Sequence, residues 1–322
     1  MDSRVPRWTE QQLRDVRRRV FKKLRSDGRA SFTRIGEELG VPRHLVASIV
    51  ERAVAADELR LTVSISPDLL GLERFAYTQV LVDGPVAPVR DALVALSATT
   101  FVADVASHFP IEAEIRVGAD PRLRETLDVI AQLPGVREVQ TSIYESIEAN
   151  QYSPLRTGGT RIRVDTADRA MIGVLQQNCR ASLRELGDAA GLSPSGARVR
   201  FERLLRHEAI RPVGIPVRAH HSDTTSLRAG IRAAGPASEL LPHLLSVEPE
   251  FLAVAVGRYD FIATLTADTV EEVLEITERL RSFALVAAVD VSANLRIVKE
   301  RYGDGDRIAV AHETGSRLDA LK

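Results

Sequence analysis

Apolar residues recur every three or four positions in some stretches of this chain and every second position in others, and the two rhythms alternate in one order, twice. Val16, Val20 and Leu24, then Ile35 and Leu39, then Val46, Val50, Ala53 and Val54 predict three short helices. Met171, Val174 and Leu175, then Leu183, Leu186 and Ala190, then Ala197, Phe201, Leu204 and Leu205 predict three more. Ser182 and Ser193 stand where helix N-caps belong, Glu185 completes a capping-box spacing, and Pro194 suits a first helical position. Gly40 and Gly191 supply the corner between the second and third helix of each set. Extended segments follow at Leu59 to Ile65 and Ile210 to Val217.

Behind each helical set the pattern alternates strand and helix. The first copy predicts strands at Tyr77 to Val82, Phe101 to Val105, Ile111 to Val117 and Val136 to Ile147, with helices at Val86 to Leu96 and Pro121 to Leu133. The second predicts strands at Leu227 to Ala233, Phe251 to Gly257, Tyr259 to Leu265 and Val286 to Ile297, with helices at Pro236 to Leu245 and Val270 to Leu280. The order βαββαβ is ferredoxin-like. The two halves also share sequence: Gly28 to Val41 aligns without gaps on Cys179 to Leu192, a shift of 151 residues, and Glu51-Arg52 falls on Glu202-Arg203. The expected fold class is therefore α+β: two tandem units, each a winged or three-helix helix-turn-helix followed by a ferredoxin-like sensor domain. The boundaries fall at 1–62, 63–152, 160–214 and 215–302, with 303–322 a flexible tail.

This order resembles the Lrp/AsnC, or feast-or-famine, family of transcriptional regulators, in a tandem duplicated form. Gly191-Leu192-Ser193-Pro194-Ser195 with Arg200, Phe201 and Arg203-Leu204 resembles the family's recognition helix. Leu70-Gly71-Leu72, Leu133-Pro134-Gly135-Val136 and Gly257-Arg258-Tyr259-Asp260 resemble its sensor-domain segments. The copies depart from the pattern in different places. Ser107-His108-Phe109-Pro110 replaces the glycine-tyrosine-aspartate turn in the first copy, and Phe283-Ala284-Leu285-Val286 replaces Pro-Gly-Val in the second.

Charge agrees with such a division. The net charge of −1 hides blocks of +5 over residues 1–60, −6 over 61–159, +4 over 160–212 and −4 over 213–322. Basic excess confined to the helical sets is the footprint of phosphate contact. The single Cys179 forms no internal disulfide and no cysteine zinc site, which fits a reducing cytoplasm. No apolar run suits a membrane helix, and residues 1–29 lack a secretory core.

A recognition helix keeps one face in its own core and turns the other to base edges. In the second copy that places Ser193, Ser195, Arg198 and Val199 toward the groove and Arg200, Arg203 and Arg206 at phosphates, with Arg198 able to pair with guanine. In the first copy the corresponding set is Arg43, His44, Ser48 and Arg52. The bland alternative for these arginines is a solvated helix face. The resemblance implies a small effector, typically an amino acid, at Gly257, Arg258, Tyr259 and Asp260, with Ser107, His108 and Phe109 in the first copy. The plain alternative is that each turn only closes a hairpin. The expected partners are double-stranded DNA, the effector, and further copies of the chain or the second half acting as a pseudo-dimer. An open sheet face would need covering by one or the other. No catalytic signature, metal motif or cofactor motif is present, so no enzyme is expected. Two other readings stay open. One is an enzyme like the sirohaem decarboxylases, with His220, His221, Arg218 and Arg228 facing a tetrapyrrole. The other is a sensor that no longer binds DNA.

Overall fold

A computed structural model describes residues 8–150, 162–216, 225–267 and 269–300. The first half runs α1 (Glu10–Ser26), α2 (Phe32–Leu39), α3 (Arg43–Ala55), β1 (Leu59–Ile65), β2 (Arg74–Val82), α4 (Val86–Ala95), β3 (Thr99–Ala106), β4 (Ile111–Val117), α5 (Asp120–Ala131) and β5 (Val136–Asn150). The second repeats that order as α6 (Thr166–Gln177), α7 (Leu183–Ala190), α8 (Pro194–Arg206), β6 (Ile210–Pro216), β7 (Thr225–Ala233), α9 (Ala237–Leu245), β8 (Phe251–Gly257), β9 (Phe261–Ala267), α10 (Val270–Arg281) and β10 (Val286–Glu300). The expected tail and the His220-His221 pair lie outside the described residues. These elements do not separate by half. They form two compact units, one holding both helical sets with β1 and β6, the other holding the remaining strands and helices of both halves.

In the helical unit the Ser182 cap is the one the spacing predicts, and two more capping boxes join it. Ser182 Oγ accepts from Glu185 N while Glu185 returns a bond to Ser182 N, and Thr9 with Gln12 and Asp165 with Asp168 repeat the device on α1 and α6. Gly40 and Gly191 hold the left-handed corner at φ 68° and 66°. Val16, Val20, Leu24, Ile35, Val46 and Val50 bury one face of each helix of the first set. The two sets lock together reciprocally. Arg29 donates to the carbonyls of Cys179 and Ala181 at 2.6 and 2.9 Å, and Arg180 donates to those of Gly28 and Ala30 at 2.8 and 3.1 Å. Gly28 N donates to Pro212 O and Cys179 N to Leu61 O, and β1 pairs with β6. A Cβ on Gly28 would stand 2.8 Å from the Val213 backbone, so glycine is required for this approach.

In the other unit the two expected four-stranded sheets are one closed barrel of order β10-β3-β4-β2-β5-β8-β9-β7. The cause is strand length. The first residues of β5, 136–143, pair with β2, and its continuation to Asn150 pairs with β8. In the same way β10 pairs with β7 as far as Ala293 and with β3 from there to Glu300. Each last strand outruns its predicted end by three residues, and those extra residues pair with the other half. Helices α4 and α5 cover the outer face of β2 and β4 with Val89, Leu93, Leu123 and Ile130, while α9 and α10 cover the second half with Leu240, Leu244 and Leu280. The inner faces meet each other, burying Phe75, Tyr77, Tyr144, Phe251, Ala253 and Ile262. The open sheet face that called for further chains is thus covered from within.

Candidate functional site

On α8 the side chains divide by what lies beneath them. Ser193 Oγ accepts from Gly196 N at 3.1 Å and caps the helix, and Ser195, Arg198, Val199 and Arg206 face solvent, Val199 with 67% of its surface open. Arg200 and Arg203, expected at phosphates, are half-buried and engaged in ion pairs within the helical set. Arg200 Nη1 lies 2.7 Å from Asp165 and 3.1 Å from Asp168, and Arg203 closes on the other oxygen of Asp168, whose side chain is fully buried. Helix α6 begins there. A backbone bond from Asp168 and the Arg200 guanidinium hold the Asp165 carboxyl down to about 2. These two arginines tie the recognition helix to α6. In α3, Arg43, His44 and Arg52 are exposed and Ser48 is half-buried. Arg52 is the counterpart of Arg203 and has no carboxylate partner among the described residues. Helix α1 carries a basic run, Arg14, Arg17, Arg18, Arg19, Lys22, Lys23 and Arg25, that is partly neutralised, with Arg17 on Glu58 at 2.7 Å, Arg18 on Asp15 at 2.6 Å and Lys23 on Glu38 at 2.6 Å.

The two turns singled out for an effector come from opposite halves, and the barrel brings them to one cavity of about 310 Å³. Its lining includes Ser107, His108 and Phe109 from the β3–β4 turn and Arg258 and Tyr259 from the β8–β9 turn. The Arg258 guanidinium sits 5.2 Å from the ring centres of both Phe109 and Tyr259, donates to Tyr259 Oη at 2.8 Å and Gln140, and lies 3.5 Å from Asp290. The Tyr259 hydroxyl lies 2.8 Å from Asp290 Oδ2 and 3.2 Å from Gln79 Oε1, with one proton for the two. Burial pushes this phenol up to about 12, so it is a donor at neutral pH. Gly230 leaves room for the ring: a Cβ there would stand 2.5 Å from Tyr259 Cε2.

Gly257 and Asp260 were expected at the ligand and do not line the cavity. Gly257 has φ 138°, and a Cβ on it would run into the Thr141 carbonyl, so it serves the β5–β8 seam. The Asp260 carboxylate accepts from Ala233 N at 2.8 Å and closes the end of β7. Sequence reasoning missed Tyr77, Gln79, Gly230, Asp290 and Ser292. The repeat held a signal for some of them, since Gln79 and Gly230 are counterparts 151 residues apart. Beneath Ser292, which donates to Glu112, the barrel interior is charged: Arg228 is buried within 6.0 Å of the Tyr77, Phe101 and Phe251 rings. Among the described residues no group of three His, Cys, Asp or Glu side chains is placed to hold a metal ion. No described helix is long and apolar enough to cross a membrane.

The profile of the AsnC-type helix-turn-helix domain matches residues 164–205, which are α6 to α8. The helix-turn-helix built by α6 to α8 is therefore of the AsnC type. Among curated proteins the chain is similar to the HTH-type transcriptional regulator FL11 of Pyrococcus abyssi, 26% identical over 133 residues, 41% of this chain and 88% of FL11. It is also similar to an uncharacterized HTH-type transcriptional regulator of the same organism, 27% identical over 155 residues, 47% of this chain and 97% of that protein. Each relative, over most of its own length, spans under half of the chain. Over almost the whole chain the fold is similar to that of the siroheme decarboxylase NirDL, with a TM-score of 0.60 at 13% identity, covering 94% of this chain and 99% of that one.

Proposed function

We propose that the protein is a DNA-binding transcriptional regulator of the Lrp/AsnC family whose affinity for DNA responds to a small effector in the barrel cavity. The observation that carries this reading is α8: an AsnC-type recognition helix whose exposed side chains include Ser195, Arg198 and Arg206, with its own core face satisfied by Ala197, Phe201 and Leu204. Exposed basic residues on such a helix suit base edges and phosphates. The cavity sets Arg258 against Asp290, with His108 at its mouth, an arrangement that suits a zwitterion such as an amino acid. A role on DNA supports a cytoplasmic location. The test is a mobility shift on the DNA upstream of its own coding region at two salt concentrations. Binding should weaken steeply with salt. Arg198→Ala should cost about 1–3 kcal/mol for the specific site and leave non-specific binding nearly unchanged. Salt-insensitive or absent binding overturns the reading.

The fold similarity to NirDL over nearly the full chain supports a second reading, a decarboxylase acting on a tetrapyrrole. The cavity argues against it. A tetrapyrrole carries several carboxylates and exceeds about 310 Å³ of space, and the lining supplies one guanidinium, Arg258, already beside the Asp290 carboxyl. Titration with iron uroporphyrin, followed by absorbance, decides: an unchanged Soret band is expected, and a saturable shift favours the enzyme.

A further inference from the structure

A regulator that dimerises from identical subunits presents two identical recognition helices related by a two-fold axis, and so reads an inverted repeat. This chain builds its pair internally. Four of the contacts that join the helical sets are reciprocal at a shift of 151 residues: Arg29 on the carbonyls after α6 with Arg180 on those after α1, and Gly28 N on the β6 side with Cys179 N on the β1 side. The close approach at Gly28, where a Cβ would stand 2.9 Å from Cys179 Sγ, leaves no slack between them. Contacts repeated in this way relate the two sets by an approximate two-fold, which makes α3 and α8 equivalent positions of one pair.

Their outer faces are not alike. The two helices match residue for residue over their whole length, Arg43–Ala55 on Pro194–Arg206. In that register His44 stands for Ser195, Ala47 for Arg198, Ser48 for Val199 and Ala55 for Arg206. The guanine-reading arginine of α8 has an alanine as its counterpart on α3, while α3 keeps Arg43 and an exposed Arg52 for phosphates, the latter at the position where α8 has Arg203 tied to Asp168. A helix with phosphate cations and short side chains at its base-facing positions positions a protein on DNA and discriminates weakly. A helix with an exposed arginine at that place discriminates strongly.

We propose that one chain of this protein occupies a bipartite, non-palindromic duplex site, in which α8 reads one half stringently through Arg198 and α3 holds the other half with little base selection. This rests on the DNA-binding reading above. The experiment is selection of bound duplexes from a random pool by the full chain, followed by titration of the selected duplex. The expected result is a motif with one information-rich half containing a guanine and one poor half, saturated at one chain per duplex. Arg198→Ala should lower affinity for that duplex roughly ten- to hundredfold and erase the rich half alone. Ala47→Arg should make a guanine appear in the poor half. An inverted repeat, or saturation at two chains per duplex, overturns the proposal while leaving DNA binding intact. A pool in which no sequence is enriched overturns sequence-specific binding, and this proposal with it.

Discussion

Asp168 shows how a single carboxylate can decide what its neighbours do. Fully buried at the start of α6, it has both oxygens taken by Arg200 and Arg203 and completes the cap with Asp165. Removing it takes one carboxylate from each of two guanidiniums, and because Arg200 keeps Asp165 and both are about a third exposed the cost falls below that of breaking a fully buried pair. Asp168→Ala should destabilise by about 2 kcal/mol in urea unfolding and also weaken DNA binding by loosening α8. Arg198→Ala should leave the urea midpoint unchanged. Acid gives a second readout. Asp165 has its folded value depressed to about 2, so its stabilising effect is complete above the unfolded carboxyl value near 4 and is lost as pH falls toward 2. Asp165→Asn should flatten that part of the pH–stability curve. Cys179 behaves in the opposite sense: buried, with its thiol pushed up to about 11, it should resist iodoacetamide at pH 8 in the native protein and react once urea unfolds it. None of these partnerships was legible along the chain. Arg200 and Arg203 carry the spacing of a phosphate-facing pair, and the carboxylates that claim them lie 32 and 35 residues earlier, on a different helix.

Elements were read more easily, because each depends on a local rhythm. Three- and four-residue spacings with Ser182, Glu185, Pro194 and Gly191 at the ends mark α7 and α8 closely, and alternation marks the sheet strands to within a few residues. What the rhythm does not carry is where a long strand finds its second partner. Residues 142–150 of β5 alternate no differently from residues 136–143, yet they pair with β8 of the other half. The gathering of Phe109 and Arg258 at one cavity follows from that seam, not from either turn alone. Ile147→Pro, opposite Ala253, should remove a ladder bond from the seam and spare the β2–β5 pairing, costing on the order of 2–4 kcal/mol. Hydrogen exchange should quicken at β8 amides and hold steady at β2. Gly230→Ala should displace the Tyr259 ring from its place against β7 and abolish any effector response before it unfolds the barrel.

At the scale of the molecule, the repeat that is plain in the sequence is not a repeat of domains in space. Helical sets gather with helical sets and sheets with sheets, so each compact unit takes residues from both halves. Both barrel seams join strands of the same chain, and Lys299 near the end of β10 reaches the carbonyls of Val94 and Leu96 at the close of α4. Mass action, which governs any protein whose cavity lies between separate subunits, has no hold on such a joint. The thermal midpoint should not move on thousandfold dilution, and a cell holding only a few molecules would still hold them with the pocket assembled.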